Sequence, residues 1–365
     1  MKILYLVPDL IGPPSGIGRY CRMVCRSLEE ANLQVTVISL LDLHSARQQA
    51  KENFPEVAYL PCQGSRKSFV WHALKTALRL RPTLILVGHP NFSFVGYLLS
   101  FLSRSQTAVF MYGTDVWKSE KPLRRAAMCR ADLCISISEY TAKRAIESNG
   151  IPADKIRILP NCLDTHFEKQ NLDDVDGNQA PSILTASRIT SFEPHKGQEY
   201  VIRAMPALLS RFPDLVYNIV GDGDRRPSLE KLATDEGVAD SVKFHGIVSD
   251  EMLAKFYRQA SVFVMPSLVE GFGFVFLEAM AQGTPAIGGN RDAAPEVIMD
   301  GETGYVVDPT SVPDIAEAIS RLLSDPALRQ RMSEAGIRHA FENFGFPLFQ
   351  RKLLAYLSEL DQTKV

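Results

Sequence analysis

Short, fully apolar runs alternate with longer amphipathic ones along most of this 365-residue chain. Lys2–Val7, Gln34–Leu40, Leu84–Val87, Thr107–Met111, Leu133–Ile137 and Ile156–Leu159 read as strands. Helical patterns separate them, from about Arg19 to Ala31 and near Ser68–Leu80, Phe92–Ser103, Leu123–Cys129 and Tyr140–Asn149. Strands rich in Val, Ile and Leu, alternating with helices, predict an α/β fold whose parallel sheet is covered on both faces. The polar segment Asp164–Ala180 interrupts the rhythm and reads as a linker. The rhythm restarts with strands at Ser182–Ala186, Val216–Val220, Val242–Phe244, Val262–Met265, Pro285–Ile287 and Tyr305–Val307, and two or three helices close the chain between Pro313 and Leu360. This predicts two Rossmann-like, doubly wound domains, residues 1–170 and 171–345, with a last helix (about 346–365) packing back on the first. Ligands of such folds sit at the carboxyl ends of the strands, so a central cleft facing both sheets is the expected site.

Composition adds two points. Overall charge is near balance at −2, but residues 1–170 hold 22 Lys and Arg against 14 Asp and Glu, while the remainder holds 18 against 28. A basic first half fits an anionic membrane surface, or simply a solvated basic face. All six cysteines lie in that half, with no C-x-x-C pair and no zinc-like spacing, as in a reducing compartment. The opening MKILYLVPDL reads as a strand rather than a signal peptide. The apolar stretch Thr83–Leu102 is broken by His89, Pro90 and Asn91, so any membrane association is peripheral.

Candidate chemistry gathers around Met265–Gly288. A loop with Pro266, Ser267, Gly271 and Gly273 leads into a helix at Phe274–Ala281 that is apolar nearly all round and so buried. Glu278 sits inside it and needs a partner there; Glu270 lies in the loop at the helix's positive end, a natural anion site. That pairing suits a nucleotide sugar, or else an ordinary buried helix whose Glu278 meets a neighbouring Arg. Arg188 and Lys196 flank one strand–helix connection and are able to grip a diphosphate, although exposed basic residues are common. Gly16 and Gly18 follow the first strand and allow close backbone approach to a ligand, or only a tight turn; with Cys21 in place of the third glycine, this is no dinucleotide fingerprint. Gly221-Asp222-Gly223-Asp224 contains a D-x-D, read as a turn with helix-capping acids in preference to a metal site. His89, Tyr112 and Asp115 end strands and are candidate sugar or acceptor contacts; Asn161 is a hinge amide or a ligand contact.

These residues resemble the retaining GT-B glycosyltransferases of family 4. Glu270–Glu278 matches its E-x7-E pattern. Ser187-Arg188, Lys196-Gly197, Val220-Gly221-Asp222-Gly223, Phe244-His245-Gly246 and Asp300–Gly304 match through the second domain; Gly16–Arg19, Ile137–Thr141 and Pro160–Asp164 match more loosely in the first. The resemblance implies that Glu278 holds the ribose hydroxyls and Glu270 the donor sugar. It implies that Arg188, Lys196 and the amides of Phe272, Gly273 and Phe274 hold the diphosphate. The backbone at Val248 would read the base, Gly16 would lie close to the donor, and Gly18, Asn161 and Gly221 join the donor-binding set. It further implies sugar transfer from a UDP- or GDP-sugar to a glycan or lipid-linked glycan, with retention, in the cytoplasm or at the inner face of the membrane. No metal, cofactor or nucleic-acid partner is expected. Two departures stand out. Tyr112 occupies the place of a histidine that meets the donor sugar in many members, so that contact falls to Tyr112, to His89 or to neither. The loop Ile189–His195 is longer than usual. The alternatives on the same fold are a phosphorylase or donor hydrolase, and a non-catalytic subunit.

Overall fold

The computed structural model describes residues 1–12, 15–164, 167, 180–193 and 195–362. Most of the expected linker, together with Pro13, Pro14 and Pro194, lies outside the described residues. The chain forms two compact units, one of Met1–Asn161 with Phe346–Val365 and one of Cys162–Gly345.

The first unit carries a seven-stranded parallel sheet: β1 (Lys2–Val7), β2 (Gln34–Ser39), β3 (Ala58–Pro61), β4 (Leu84–Val87), β5 (Gln106–Met111), β6 (Leu133–Ser136) and β7 (Ile156–Ile158), in the order β3-β2-β1-β4-β5-β6-β7. Five of the six residues of β1 and all four of β4 are buried, which is why these runs carry no polar alternation. The pattern underestimates two elements. β3 is a half-exposed edge, and the Ala46–Asn53 helix before it buries only Ala50, so neither shows a continuous apolar run. The helix expected from Arg19 begins at Gly16, where the Ser15 hydroxyl caps it by accepting from the Gly18 N–H at 2.9 Å. The closing helix Phe346–Gln362 belongs to this unit. Phe346, Phe349, Leu353 and Leu357 form its buried stripe. Phe349 meets Tyr20 edge-on at 5.3 Å, and the Arg26 guanidinium lies 4.0 Å over the Phe346 ring.

The second unit carries β8 (Ser182–Ala186), β9 (Val216–Val220), β10 (Val242–Gly246), β11 (Val262–Met265), β12 (Ala286–Gly289) and β13 (Gly304–Val307) in a parallel sheet ordered β10-β9-β8-β11-β12-β13. From β8 the chain winds one way through β9 and β10, then returns to β8's other side as β11. That reversal leaves a crevice between the loops that follow β8 and β11. The equivalent reversal in the first unit lies between β1 and β4.

Candidate functional site

The loop after β8 is built to hold Arg188 and Lys196 in fixed backbone positions. The Ser187 N–H donates to the Val220 carbonyl and the Ile189 N–H to the Asp222 carbonyl, each at 3.0 Å, so this loop is stitched to the one after β9. Gly221, at φ +123°, is essential to that stitch: a Cβ there would lie 1.9 Å from the Ser187 carbonyl oxygen. The space at Gly221 is therefore taken by protein backbone, and its place in the site is to shape the Arg188 loop. Asp224, the second acid of the D-x-D, accepts from the Ser191 N–H at 2.8 Å and from the Ser191 hydroxyl. Gly197 then begins the Gln198–Leu209 helix at φ +82°, pressed against Pro266; a Cβ there would fall 2.3 Å from the Pro266 carbonyl.

That contact brings Lys196 to the loop after β11. Its ammonium meets Glu270 Oε2 at 2.8 Å, with both side chains largely buried. Burial pulls the Lys196 pKa down, but Glu270 first, then Glu193 and Asp292, outweigh it and hold the ammonium above its ordinary value. The other Glu270 oxygen receives the Phe272 N–H at 3.5 Å. Gly273, at φ +93°, turns the chain into the Phe274–Ala281 helix with no side-chain cap. A Cβ at Gly273 would lie 2.4 Å from the Phe276 ring. Lys196, Glu270 and the uncapped helix start thus meet at the crevice between β8 and β11.

Arg188 stands apart from this pair. Its side chain is 71% exposed and pairs with Glu193 at 2.9 Å, across the same loop. Glu278 is 3% exposed, and its Oε2 accepts from the Tyr257 hydroxyl at 2.9 Å. One partner of this buried acid is therefore a tyrosine from the Asp250–Gln259 helix. Val248 is half-buried beside the 86%-exposed Ile247, just ahead of the same helix.

Sequence reasoning passed over Asp292. It follows β12, the neighbour of β11, and is 4% exposed. Burial drives its pKa up to about 7; the Ala294 N–H opposes this, Glu270 adds to it, and Lys196 and the Ser267 hydroxyl oppose it. The only signal in the sequence is an acid at the carboxyl end of a parallel strand.

In the first unit, the reversal between β1 and β4 collects the loop before Gly16 and the loop holding His89. Two buried acids organise the first of these. Asp42 accepts from the N–H groups of Leu10, Ile11 and Gly12 at 2.7, 3.2 and 2.7 Å, and from the Tyr59 hydroxyl at 2.6 Å. Asp9 lies against the helix start, where a Cβ on Gly18 would come within 1.8 Å of its carboxylate. The close approach that Gly18 permits is thus made by Asp9; Gly16 remains at the mouth of the loop. His89 Nδ1 accepts the Asn91 N–H at 3.0 Å, and burial, then Arg124, lower its pKa to about 4. The ring is neutral and carries its proton on Nε2. The Tyr112 hydroxyl donates to the Gly88 carbonyl at 3.0 Å. Both Asp115 oxygens accept from the Tyr112 N–H, at 3.2 and 3.1 Å, so Asp115 shapes the turn; burial lifts its pKa to about 6. Asn161 is buried, and its Oδ1 has no hydrogen-bond partner.

Among the described residues no cluster of three or more His, Cys, Asp or Glu is placed to hold a metal ion.

Residues 181–339 match the family model for glycosyl transferases group 1, and residues 14–167 match that for glycosyltransferase family 4. The GDP-mannose-dependent alpha-(1-6)-phosphatidylinositol monomannoside mannosyltransferase of Mycolicibacterium smegmatis is 35% identical over 270 residues, 68% of each chain. The alpha-D-kanosaminyltransferase of Streptomyces kanamyceticus is 31% identical over 250 residues, 64% of this chain and 61% of that one. Among solved structures, Anabaena Alr3699/HepE in complex with UDP and glucose superposes with a TM-score of 0.82 at 21% identity, covering 98% of this chain and all of that one.

Proposed function

Because the chain belongs to glycosyltransferase family 4, with a group 1 glycosyl transferase segment and the two-unit GT-B fold, we propose that it transfers mannose from GDP-mannose to a lipid-linked glycan acceptor, with retention of anomeric configuration. The observation that carries this reading is the Lys196–Glu270 pair at the β8/β11 reversal, beside an uncapped helix start. A buried cation and backbone N–H groups at a helix's positive end are suited to the charge that develops on a departing diphosphate. Lys196 has three donors and spends one on Glu270, leaving two for phosphate oxygens. Arg188 joins when it leaves Glu193. An exposed pair of this kind contributes about 0–1 kcal/mol, so the exchange costs little. With two cations and the positive end of the Phe274–Ala281 helix, the leaving group is neutralised without a metal ion. Glu278 takes the ribose hydroxyls, the Val248 backbone reads the base, and Glu270 meets the sugar. In this account the acceptor hydroxyl attacks from the face the diphosphate leaves, and the departing phosphate takes its proton. In the first unit His89 keeps a ring N–H to offer, whereas the Tyr112 hydroxyl is spent on the Gly88 carbonyl.

A second surface supports the lipid-linked acceptor. The Arg66–Leu80 and Ser93–Ser103 helices pack together. They leave Trp71 63%, Leu78 55%, Leu98 45%, Phe101 79% and Leu102 54% exposed. Between Glu56 and Asp115 the chain has six Lys and Arg and no Asp or Glu. Exposed aromatic and aliphatic side chains within a purely basic stretch suit the interface of an anionic bilayer. Among the described residues no helix is long and apolar enough to cross a membrane, so this reading is peripheral, on the cytoplasmic face.

A thermal-stability screen against GDP-mannose, UDP-glucose and ADP-glucose tests the donor. At a hundredfold excess over Kd a ligand adds about 2.7 kcal/mol to apparent stability. GDP-mannose should raise the transition, and turnover should survive EDTA. No response to any sugar nucleotide would overturn the donor assignment, and activity restored only by Mg2+ or Mn2+ would overturn the metal-free step. Flotation with vesicles containing phosphatidylglycerol, lost in Trp71→Ser/Phe101→Ser, tests the surface.

A further inference from the structure

Asp292 is the acid of the second unit for which the donor reading above has no use. Its loop leaves β12, directly beside the loop that leaves β11, and the Ala293 N–H donates to the Glu270 carbonyl at 3.1 Å. The carboxyl is 4% exposed. Oδ1 accepts from the Ala294 N–H at 2.9 Å; Oδ2 is buried with no donor at hydrogen-bond distance, the Ser267 hydroxyl being near enough only to lower the carboxyl's pKa. A buried carboxyl oxygen without a donor is costly, and folded proteins keep few of them. Glu270 and Lys196 both lie close enough to shift its ionisation, in opposite senses, so the Asp292 carboxyl stands beside the charged pair to which the donor is assigned above.

We propose that Asp292 Oδ2 accepts a hydroxyl of the transferred sugar and, with Glu270, makes the site selective for a neutral, hydroxyl-rich hexose. The inference rests on the donor reading above and deepens it. The cations of the crevice, Lys196 and Arg188, are engaged by the diphosphate. That leaves two acidic acceptors, Glu270 and Asp292, for the sugar itself. Such a pair takes hydroxyl protons, and the standing charge on Glu270 disfavours a sugar that bears its own carboxylate. The missing donor of Oδ2 is then supplied by substrate. Asp292 acts as a specificity-determining residue and takes no part in bond breaking.

The experiment compares wild type, Asp292→Asn and Asp292→Ala by calorimetric titration with GDP-mannose, with GDP alone and with a set of monodeoxy GDP-mannoses. If the stability screen selects a different sugar nucleotide, that one and its nucleoside diphosphate replace them. Both substitutions should weaken sugar-nucleotide binding about ten- to a hundredfold, as for loss of one hydrogen bond to a charged group, and change nucleoside diphosphate binding less than threefold. One monodeoxy analogue should bind wild type as weakly as the parent donor binds Asp292→Asn, and the variant should lose nothing further with that analogue. Variants that bind the full donor like wild type, or that lose the nucleoside diphosphate equally, overturn the inference and leave the donor reading intact. Wild-type protein that binds no sugar nucleotide overturns both.

Discussion

Replacing Lys196 by Met tests the site and its support together. The ammonium and Glu270 are 2.8 Å apart, with side chains 16% and 18% exposed. At an effective dielectric of about 20, the direct attraction at that distance is roughly 6 kcal/mol, much of it offset by desolvation. Truncating one partner of a buried pair costs about 3–5 kcal/mol, because the other charge is stranded. Residual water access at this crevice places Lys196→Met near the low end, about 3 kcal/mol. Urea unfolding of a unit this size has a slope of about 2–3 kcal/mol/M, so the midpoint should fall by about 1–1.5 M. The assay is far-UV circular dichroism, since both tryptophans, Trp71 and Trp117, lie in the first unit and are blind to the second. Glu270→Gln combined with Lys196→Met should recover about 1–2 kcal/mol relative to the sum of the single changes. Because the Lys196 pKa is raised in the fold, its contribution is fully present below the unfolded lysine value of about 10.4 and is lost only as pH climbs through the folded one. The wild-type advantage should therefore be level from pH 7.5 to 9. GDP affinity should fall about a hundredfold. Strict additivity of the two substitutions together with unchanged GDP affinity would refute both the pairing and its purpose.

Three further outcomes are expected. Gly273→Ala forces a left-handed backbone on a residue with a Cβ and drives that atom into the Phe276 ring; about 3 kcal/mol should be lost, seen as a melting temperature roughly 6–12 °C lower by calorimetry, together with donor binding. Asp292 is held protonated to about pH 7 by burial, so the fold binds more protons than the open chain and wild-type stability should decline as pH rises from about 4 to about 7. Asp292→Asn should remove its share of that slope, to which Asp115 and His89 also contribute, and melt higher than wild type at pH 8 while matching it near pH 4; a lower melting point at pH 8 would contradict the burial argument. Tyr257→Phe removes a donor from the buried Glu278 carboxylate and should lower stability by about 1–2 kcal/mol, and a melting temperature within 1 °C of wild type would show that the Tyr257 hydroxyl contributes little there.

Much of this was legible in the chain because it is written locally. The Phe274–Ala281 helix announces itself by seven apolar residues in eight, bounded by Gly273 and Gly283, and the buried strands by runs without polar alternation. Glu270 and Lys196 are 74 positions apart, and only their places after β11 and β8 in a doubly wound sheet suggest that they meet. What the sequence hid is the identity of supporting partners. Tyr257 under Glu278 and Ser187 under Gly221 are long-range contacts, and Asp9 reaches Gly18 across a loop; none follows a spacing rule. The glycines show the limit most clearly: Gly18 is recognisable as a point of close approach and Gly221 as a turn, but composition does not reveal whether a ligand or the protein's own atoms fill the space at either.

The distribution of charge around Lys196 explains why the pair is suited to an anion although acids outnumber cations. Glu270, Glu193 and Asp292 all raise the lysine's affinity for its proton, and burial alone opposes them. Asp292, lifted to about 7 by burial, is only partly ionised near neutral pH, so the standing balance lies between two and three carboxylates against Lys196 and Arg188. An arriving diphosphate would upset that balance unless something yields. The weak member is the 71%-exposed Arg188, whose bond to Glu193 contributes little, whereas the Lys196–Glu270 contact is deep and fixed. On the proposed donor reading, the site therefore separates a rigid cation that sets position from a loosely held one that is free to change partners, and the positive end of the Phe274–Ala281 helix adds to them without moving any side chain.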